Sequence, residues 1–77
     1  MVRNRQMGVK SGVPDLMLPI PSQGYHGLFL EMKNKTGRLS MEQKKWIAAL
    51  RDLGYKAEVA YGWEDAKCQI LNYLQLS

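Results

Sequence analysis

The chain has 77 residues, a formal net charge of +4 and 45% hydrophobic residues, which fits one small globular domain over 1–77 and excludes wholesale disorder. Cys68 is the only cysteine, so no intrachain disulfide or cysteine-rich zinc site is expected to support so small a core, and a homodimer is the expected remedy. Uninterrupted apolar stretches run to only a few residues, as at Leu28, Phe29 and Leu30, and the first residues do not read as a signal peptide. A helical membrane span is thereby excluded, and the cytoplasm is the expected location.

Residues 1–13 carry Gly8, Gly12 and several basic side chains with little periodicity, and read as a basic, irregular arm. Leu16, Met17 and Leu18 follow Pro14 and suit a short strand. The run Pro19, Ile20, Pro21, Ser22, Gln23, Gly24 is a turn signal, and 27–33 (GLFLEMK) suits a second strand. Asn34, Thr36 and Gly37 mark a loop. Ser40 with Gln43 forms a capping-box pattern, in which the hydroxyl and the amide satisfy free N–H groups at a helix start. Trp46, Ile47, Leu50 and Leu53 then recur at helical spacing, and Gly54 stands where a C-terminal glycine cap belongs. Residues 56–61 suit a third strand, Gly62 a break, and Glu64 and Asp65 the first turn of a second helix whose stripe is Ala66, Ile70, Tyr73 and Leu74. The sequence predicts an α/β fold: an arm, then a small mixed sheet in the order β-β-α-β-α, flanked by helices.

Charge is unevenly placed. The first 38 residues hold Arg3, Arg5, Lys10, Lys33, Lys35 and Arg38 against Asp15 and Glu31 alone, while the remainder is balanced. A basic half suits a polyanionic partner, and a merely solubilising surface is the competing reading. Lys10, Lys35 and Arg38 are the candidate contacts to nucleic acid, with ordinary solvated loop positions as the alternative.

Folding the turn about Gln23 sets Leu16 against Leu30 and Leu18 against Leu28, which brings Asp15 beside Glu31 at one end of the hairpin. Glu31 and Lys33 share one face of their strand, with Leu30 and Met32 on the other. Two carboxylates and an ammonium at a strand end suit hydrolysis of a phosphodiester: hard oxygen ligands hold Mg²⁺, and the lysine stabilises developing charge or orients the attacking water. Taken singly, Asp15 reads equally as a turn residue, Glu31 and Lys33 as a solvated face, and Gln43 as a helix cap. His26 reads as a surface residue, Trp46 and Trp63 as core or interface, and Cys68 as a buried or half-buried small hydrophobe.

Gly12, Val13, Pro14, Asp15 and Leu16, followed by Glu31, Met32 and Lys33, resemble the PD-(D/E)XK nuclease signature. The longer string GVPDL, LFLEMK, GRLS-x-EQ, GY and AYG resembles the VRR-Nuc family, the virus-type replication and repair nucleases, from about Gly8 to the C-terminus. The resemblance implies a restriction-endonuclease-like core and a catalytic set of Asp15, Glu31, Lys33 and Gln43, with Asp15, Glu31 and Met32 as metal positions. It also implies Mg²⁺ or Mn²⁺ dependence, no small-molecule cofactor, and homodimers of phage type that cut branched DNA such as four-way (Holliday) junctions. Family members usually carry a further acidic residue on an N-terminal helix, and no acidic residue precedes Asp15 here. That ligand is dispensable, or is replaced by Glu42, by water or by the partner subunit. The competing functions are a non-catalytic nucleic-acid-binding module and a small interaction subunit.

Overall fold

The computed structural model describes residues 2–3 and 12–76. Six elements follow in chain order: strands β1 (Val2–Arg3), β2 (Leu16–Leu18) and β3 (Leu28–Lys33), helix α1 (Met41–Asp52), strand β4 (Lys56–Tyr61) and helix α2 (Trp63–Leu74). The sheet order is β1-β2-β3-β4, with β3 and β4 parallel and the other pairs antiparallel. This is the expected α/β fold with a small mixed sheet.

One expectation needs correction at the N-terminus. The first residues are not wholly an irregular arm, because Val2 and Arg3 pair with Met17 and Leu16 and add an edge strand. Two residues carry too little alternation to announce a strand, and the neighbouring strand supplies the pairing. Residues 4–11 of the arm, Lys10 included, lie outside the described residues.

The hairpin between β2 and β3 has the expected register, with Leu16 opposite Leu30 and Leu18 opposite Leu28. Its turn is a two-residue loop: Ser22 and Tyr25 exchange backbone hydrogen bonds of 3.1 and 2.8 Å around Gln23 and Gly24, both at positive φ. That backbone twist is the one that matches a right-twisted hairpin. Between turn and strands, residues 19–21 oppose only His26 and Gly27, and the prolines of the longer arm need no ladder partner.

The two faces of the sheet carry separate cores. Leu16, Leu18, Leu28, Leu30 and Ala60 pack with Ala66 and Tyr73 of α2, and Met32, Ile70 and Leu74 join them. Phe29 and Ala57 pack with Ile47 and Leu50 of α1, with Trp46, Tyr55 and Val59 alongside. Glu31 is the one buried charged side chain among the described residues, on the α1 face at the end of this second cluster.

Helix α1 begins at the expected capping box on Ser40 and ends at Gly54. The Gly54 N–H reaches Arg51 O and the Tyr55 N–H reaches Leu50 O, the paired bonds of a glycine-terminated helix. Leu53 is the C-cap residue and is 65% exposed, so it leaves the apolar stripe to which its spacing assigned it. Cys68 also departs from expectation: it lies on the outer side of α2 and is exposed. Trp63 opens α2 and is exposed as well, whereas Trp46 is partly buried.

Side chains tie the layers together. The hairpin loop satisfies the end of α2, with Ser22 Oγ donating to Tyr73 O, Gln23 Nε2 to the Asn72 and Tyr73 carbonyls, and Tyr73 OH returning to Ile20 O. The outer edge of β4 is closed by both helices. Arg51 Nε donates to Ala57 O (3.0 Å), Gln69 Nε2 donates to Val59 O (2.9 Å), and Asp65 Oδ2 accepts from the Tyr61 N–H (2.8 Å). Among the described residues, no helix is long and apolar enough to cross a membrane.

Candidate active site

The C-terminal end of β3, the start of β2 and the first turn of α1 meet at one point, which is where ligand sites gather in sheets of this kind. Glu31 and Lys33 project from β3 towards the α1 face. Asp15 stands just before β2, one step beyond the last hairpin pair, and its Oδ2 accepts from the Met32 N–H at 3.0 Å. The backbone of one candidate metal position thus holds the side chain of another. The Met32 side chain itself packs into the α2-side core, so only its carbonyl is placed to be a ligand. In extended backbone a residue's N–H and C=O face the same strand edge, and the N–H faces Asp15.

Glu31 is 3% exposed. Its Oε2 accepts from Gln43 Nε2 at 3.0 Å and lies 3.8 Å from Lys33 Nζ. Gln43 both completes the helix cap and contacts the buried Glu31 carboxyl, so the cap and the candidate site share one side chain. Its backbone N–H donates to Ser40 Oγ (3.1 Å), its Oε1 accepts from the Ser40 N–H (2.8 Å), and the remaining amide nitrogen is aimed at Glu31.

Burial pushes the Glu31 carboxyl up to about 7, and the neighbouring Asp15 charge and its hydrogen bond with Glu31 push the same way, against a smaller lowering by Lys33. Two adjacent hard oxygen donors whose repulsion one ammonium offsets only in part form the donor set a small divalent cation takes. The residues present therefore fit Mg²⁺ or Mn²⁺. Among the described residues no group of three or more carboxylate, imidazole or thiol side chains converges anywhere, so Glu42 does not complete the set. Its backbone instead packs against Gly12: a Cβ on Gly12 would lie 2.7 Å from the Glu42 carbonyl carbon, and Gly12 has φ +93°.

The other candidates do not join the cluster. Lys35 and Arg38 are exposed in the loop between β3 and α1, on the flank of the site. His26 sits in the hairpin loop, at the far end of β3, with its ring edge-on to Tyr55. What the sequence did not reveal is the Asp15–Met32 bond, because a backbone donor leaves no trace in residue type.

The sequence profile of the VRR-NUC domain matches residues 2–64. The chain belongs to the VRR-NUC domain family. A solved structure described as a "VRR_NUC domain protein" is similar to it with 38% sequence identity and a TM-score of 0.85, over 94% of this chain and 60% of the other. This chain thus spans 60% of the length of that VRR-NUC structure. No curated protein matches the chain. The family is nuclease-type, in agreement with the fold and with the carboxylate–lysine cluster at its sheet end.

Proposed function

We propose that this VRR-NUC domain is a metal-dependent DNA endonuclease that hydrolyses phosphodiester bonds at Asp15, Glu31 and Lys33, and that it acts as a homodimer on branched DNA such as four-way junctions. The observation that carries the reading is the convergence of Asp15, Glu31, Lys33 and Gln43 from three separate elements onto one buried-to-exposed step at the end of the sheet.

Asp15, Glu31 and the Met32 carbonyl would hold Mg²⁺ or Mn²⁺. When bound, the ion lowers the pKa of a ligated water and polarises a phosphate oxygen. The chain's own contribution is positional and electrostatic. The Met32 N–H and the Gln43 amide hold the two carboxylates in place, so they need no rearrangement during the reaction. Lys33, with its side chain 21% exposed, presents a cation to the incoming phosphate while its stem stays packed. Lys35 and Arg38 flank this point and add sequence-independent attraction for the backbone. The cluster offers a cation and metal ligands rather than a set of side chains for base edges, which favours recognition of DNA shape over sequence.

Two-fold symmetry would present two such sites to a junction with near two-fold symmetry of its own. The closed outer edge of β4 favours, for such a dimer, a contact other than strand addition at β4. The test is cleavage of linear, single-stranded, flapped and four-way DNA with Mg²⁺ or Mn²⁺, wild type beside Glu31→Ala and Lys33→Ala. Cutting by the wild type that is lost in both variants is expected. A wild type that cuts no DNA of any shape with either metal overturns the proposal.

A further inference from the structure

Tyr61 is the last residue of β4 and pairs with Lys33 across the parallel ladder. Partners in a parallel pair point to the same side of the sheet, about 4.8 Å apart. The preceding pairs on this side, Phe29 with Ala57 and Glu31 with Val59, lie under or beside α1. Tyr61 lies past that cover and is 46% exposed. Its side chain therefore leaves the sheet on the same side as that of Lys33, the face that carries Glu31.

The mount is rigid. The Tyr61 N–H donates to Asp65 Oδ2 at 2.8 Å, and the next N–H, that of Gly62, donates to Lys33 O at 2.9 Å. The backbone on which the ring stands is thus bonded to α2 on one side and to β3 on the other. The Tyr61 hydroxyl has no hydrogen-bond partner among the described residues, and the ring belongs to neither core cluster. A large aromatic left half in solvent on a tethered backbone, outside both core clusters, suits contact with a flat partner. Trp63, also exposed, adds a second ring two residues on, where the chain turns into α2.

We infer that Tyr61 is a positioning residue that stacks on a nucleobase next to the phosphate held at Lys33. The inference rests on the proposed nuclease reading and deepens it. A base inside a continuous duplex has both faces covered by its neighbours, whereas a base at a branch, gap or single-stranded end has a face free for an aromatic ring. The pair of a cation for the phosphate and a ring for the adjoining base thus selects DNA with an unstacked nucleotide at the cutting point. Discrimination of this kind needs no contact with a base edge and hence no sequence preference.

The experiment compares Tyr61→Ala, Tyr61→Phe and Tyr61→Leu with wild type on two fluorescein-labelled DNAs, one a continuous duplex and one carrying a short unpaired stretch. Affinity is read by anisotropy in EDTA, and KM and kcat are read in Mg²⁺ or Mn²⁺. Loss of one stacked base corresponds to about a tenfold fall in preference for the unpaired DNA. That fall is expected in Tyr61→Ala and Tyr61→Leu, carried by KM more than kcat, with Tyr61→Phe close to wild type. Because the ring is half in solvent, melting temperatures of all variants should stay near wild type, which separates stacking from a fold defect. Equal discrimination in wild type and Tyr61→Ala overturns the inference. A wild type that cuts nothing overturns the nuclease reading instead, and the anisotropy comparison still reports on Tyr61.

Discussion

Gln43 donates its side-chain amide to Glu31 across 3.0 Å while the oxygen of the same amide closes the capping box on Ser40. The start of α1 is therefore mechanically joined to the carboxylate on β3. Two substitutions separate the joint duties. Ser40→Ala removes one capping bond and should cost about 1 kcal/mol, leaving the amide free to keep its hold on Glu31. Gln43→Ala removes the other capping bond, from the Ser40 N–H, together with the anchor, while the backbone N–H at 43 still reaches Ser40 Oγ. It should cost a similar stability but reduce cleavage far more, because a misplaced carboxylate is a misplaced reaction centre. Thermal melts beside kcat for the two variants check this. Equal kcat losses would show that Gln43 acts only through the helix.

Glu31 also makes stability depend on pH in an unusual direction. Its folded pKa is raised from 4.5 to about 7. The native state therefore holds this proton more tightly than the unfolded chain does, and folding stability falls as pH rises between those values. The loss at pH 8 relative to pH 4, from this group alone, is roughly 3 kcal/mol. Glu31→Gln should flatten the profile and melt above wild type at pH 8 in EDTA. Addition of Mg²⁺ should stabilise wild type more at pH 8 than at pH 6, since the ligand is the carboxylate, and should leave Glu31→Gln little changed. Parallel melting curves for wild type and Glu31→Gln across this range would contradict the placement of the proton.

Most of this arrangement was legible in the residues. A turn centred near Gln23 placed Leu16 against Leu30, and that register alone brings Asp15 to Glu31. Ser40 and Gln43 announced the start of α1 because capping chemistry is local. The illegible parts depend on distant partners. The strand at Val2 and Arg3 exists because β2 offers an edge, not because its two residues have a pattern. Leu53 kept helical spacing but not burial, because the helix containing it ends there, and Cys68, read as buried from its residue type, falls on the outer face of α2. The dual use of Gln43 was hidden for a different reason. One amide has donors and an acceptor, and sequence reveals only the bonds made to its own helix.

Gly12 is a second connection between the motif and α1. At φ +93°, with its missing Cβ 2.7 Å from the Glu42 backbone, it lets the chain pass close to the helix start on its way to Asp15. Gly12→Ala meets both a strained backbone and a collision with main chain, which has little room to yield. The expected result is a loss of about 1–3 kcal/mol in stability, with reduced cleavage in the folded fraction because Asp15 is displaced from the Met32 N–H. Urea melts and cleavage assays on the folded protein measure the two effects separately. A variant as stable as wild type would mean that the loop before Pro14 relaxes freely.

The outer edge of β4 sets the last expectation. Ala57 O, Val59 O and the Tyr61 N–H all face away from β3, and Arg51, Gln69 and Asp65 satisfy them in turn. An unpaired edge is a template for another strand, and three side chains from two helices occupy this one. Glu58 adds a charge there through its 3.3 Å contact with Arg51. The double variant Arg51→Ala, Gln69→Ala removes two of the caps and the ion pair while leaving the residues of the candidate active site in place. It should self-associate more readily than wild type as concentration rises, visible by sedimentation as species larger than the native assembly. If its sedimentation matches wild type at every concentration, the edge is protected by twist or by neighbouring bulk, and the side-chain bonds serve only to dock the helices.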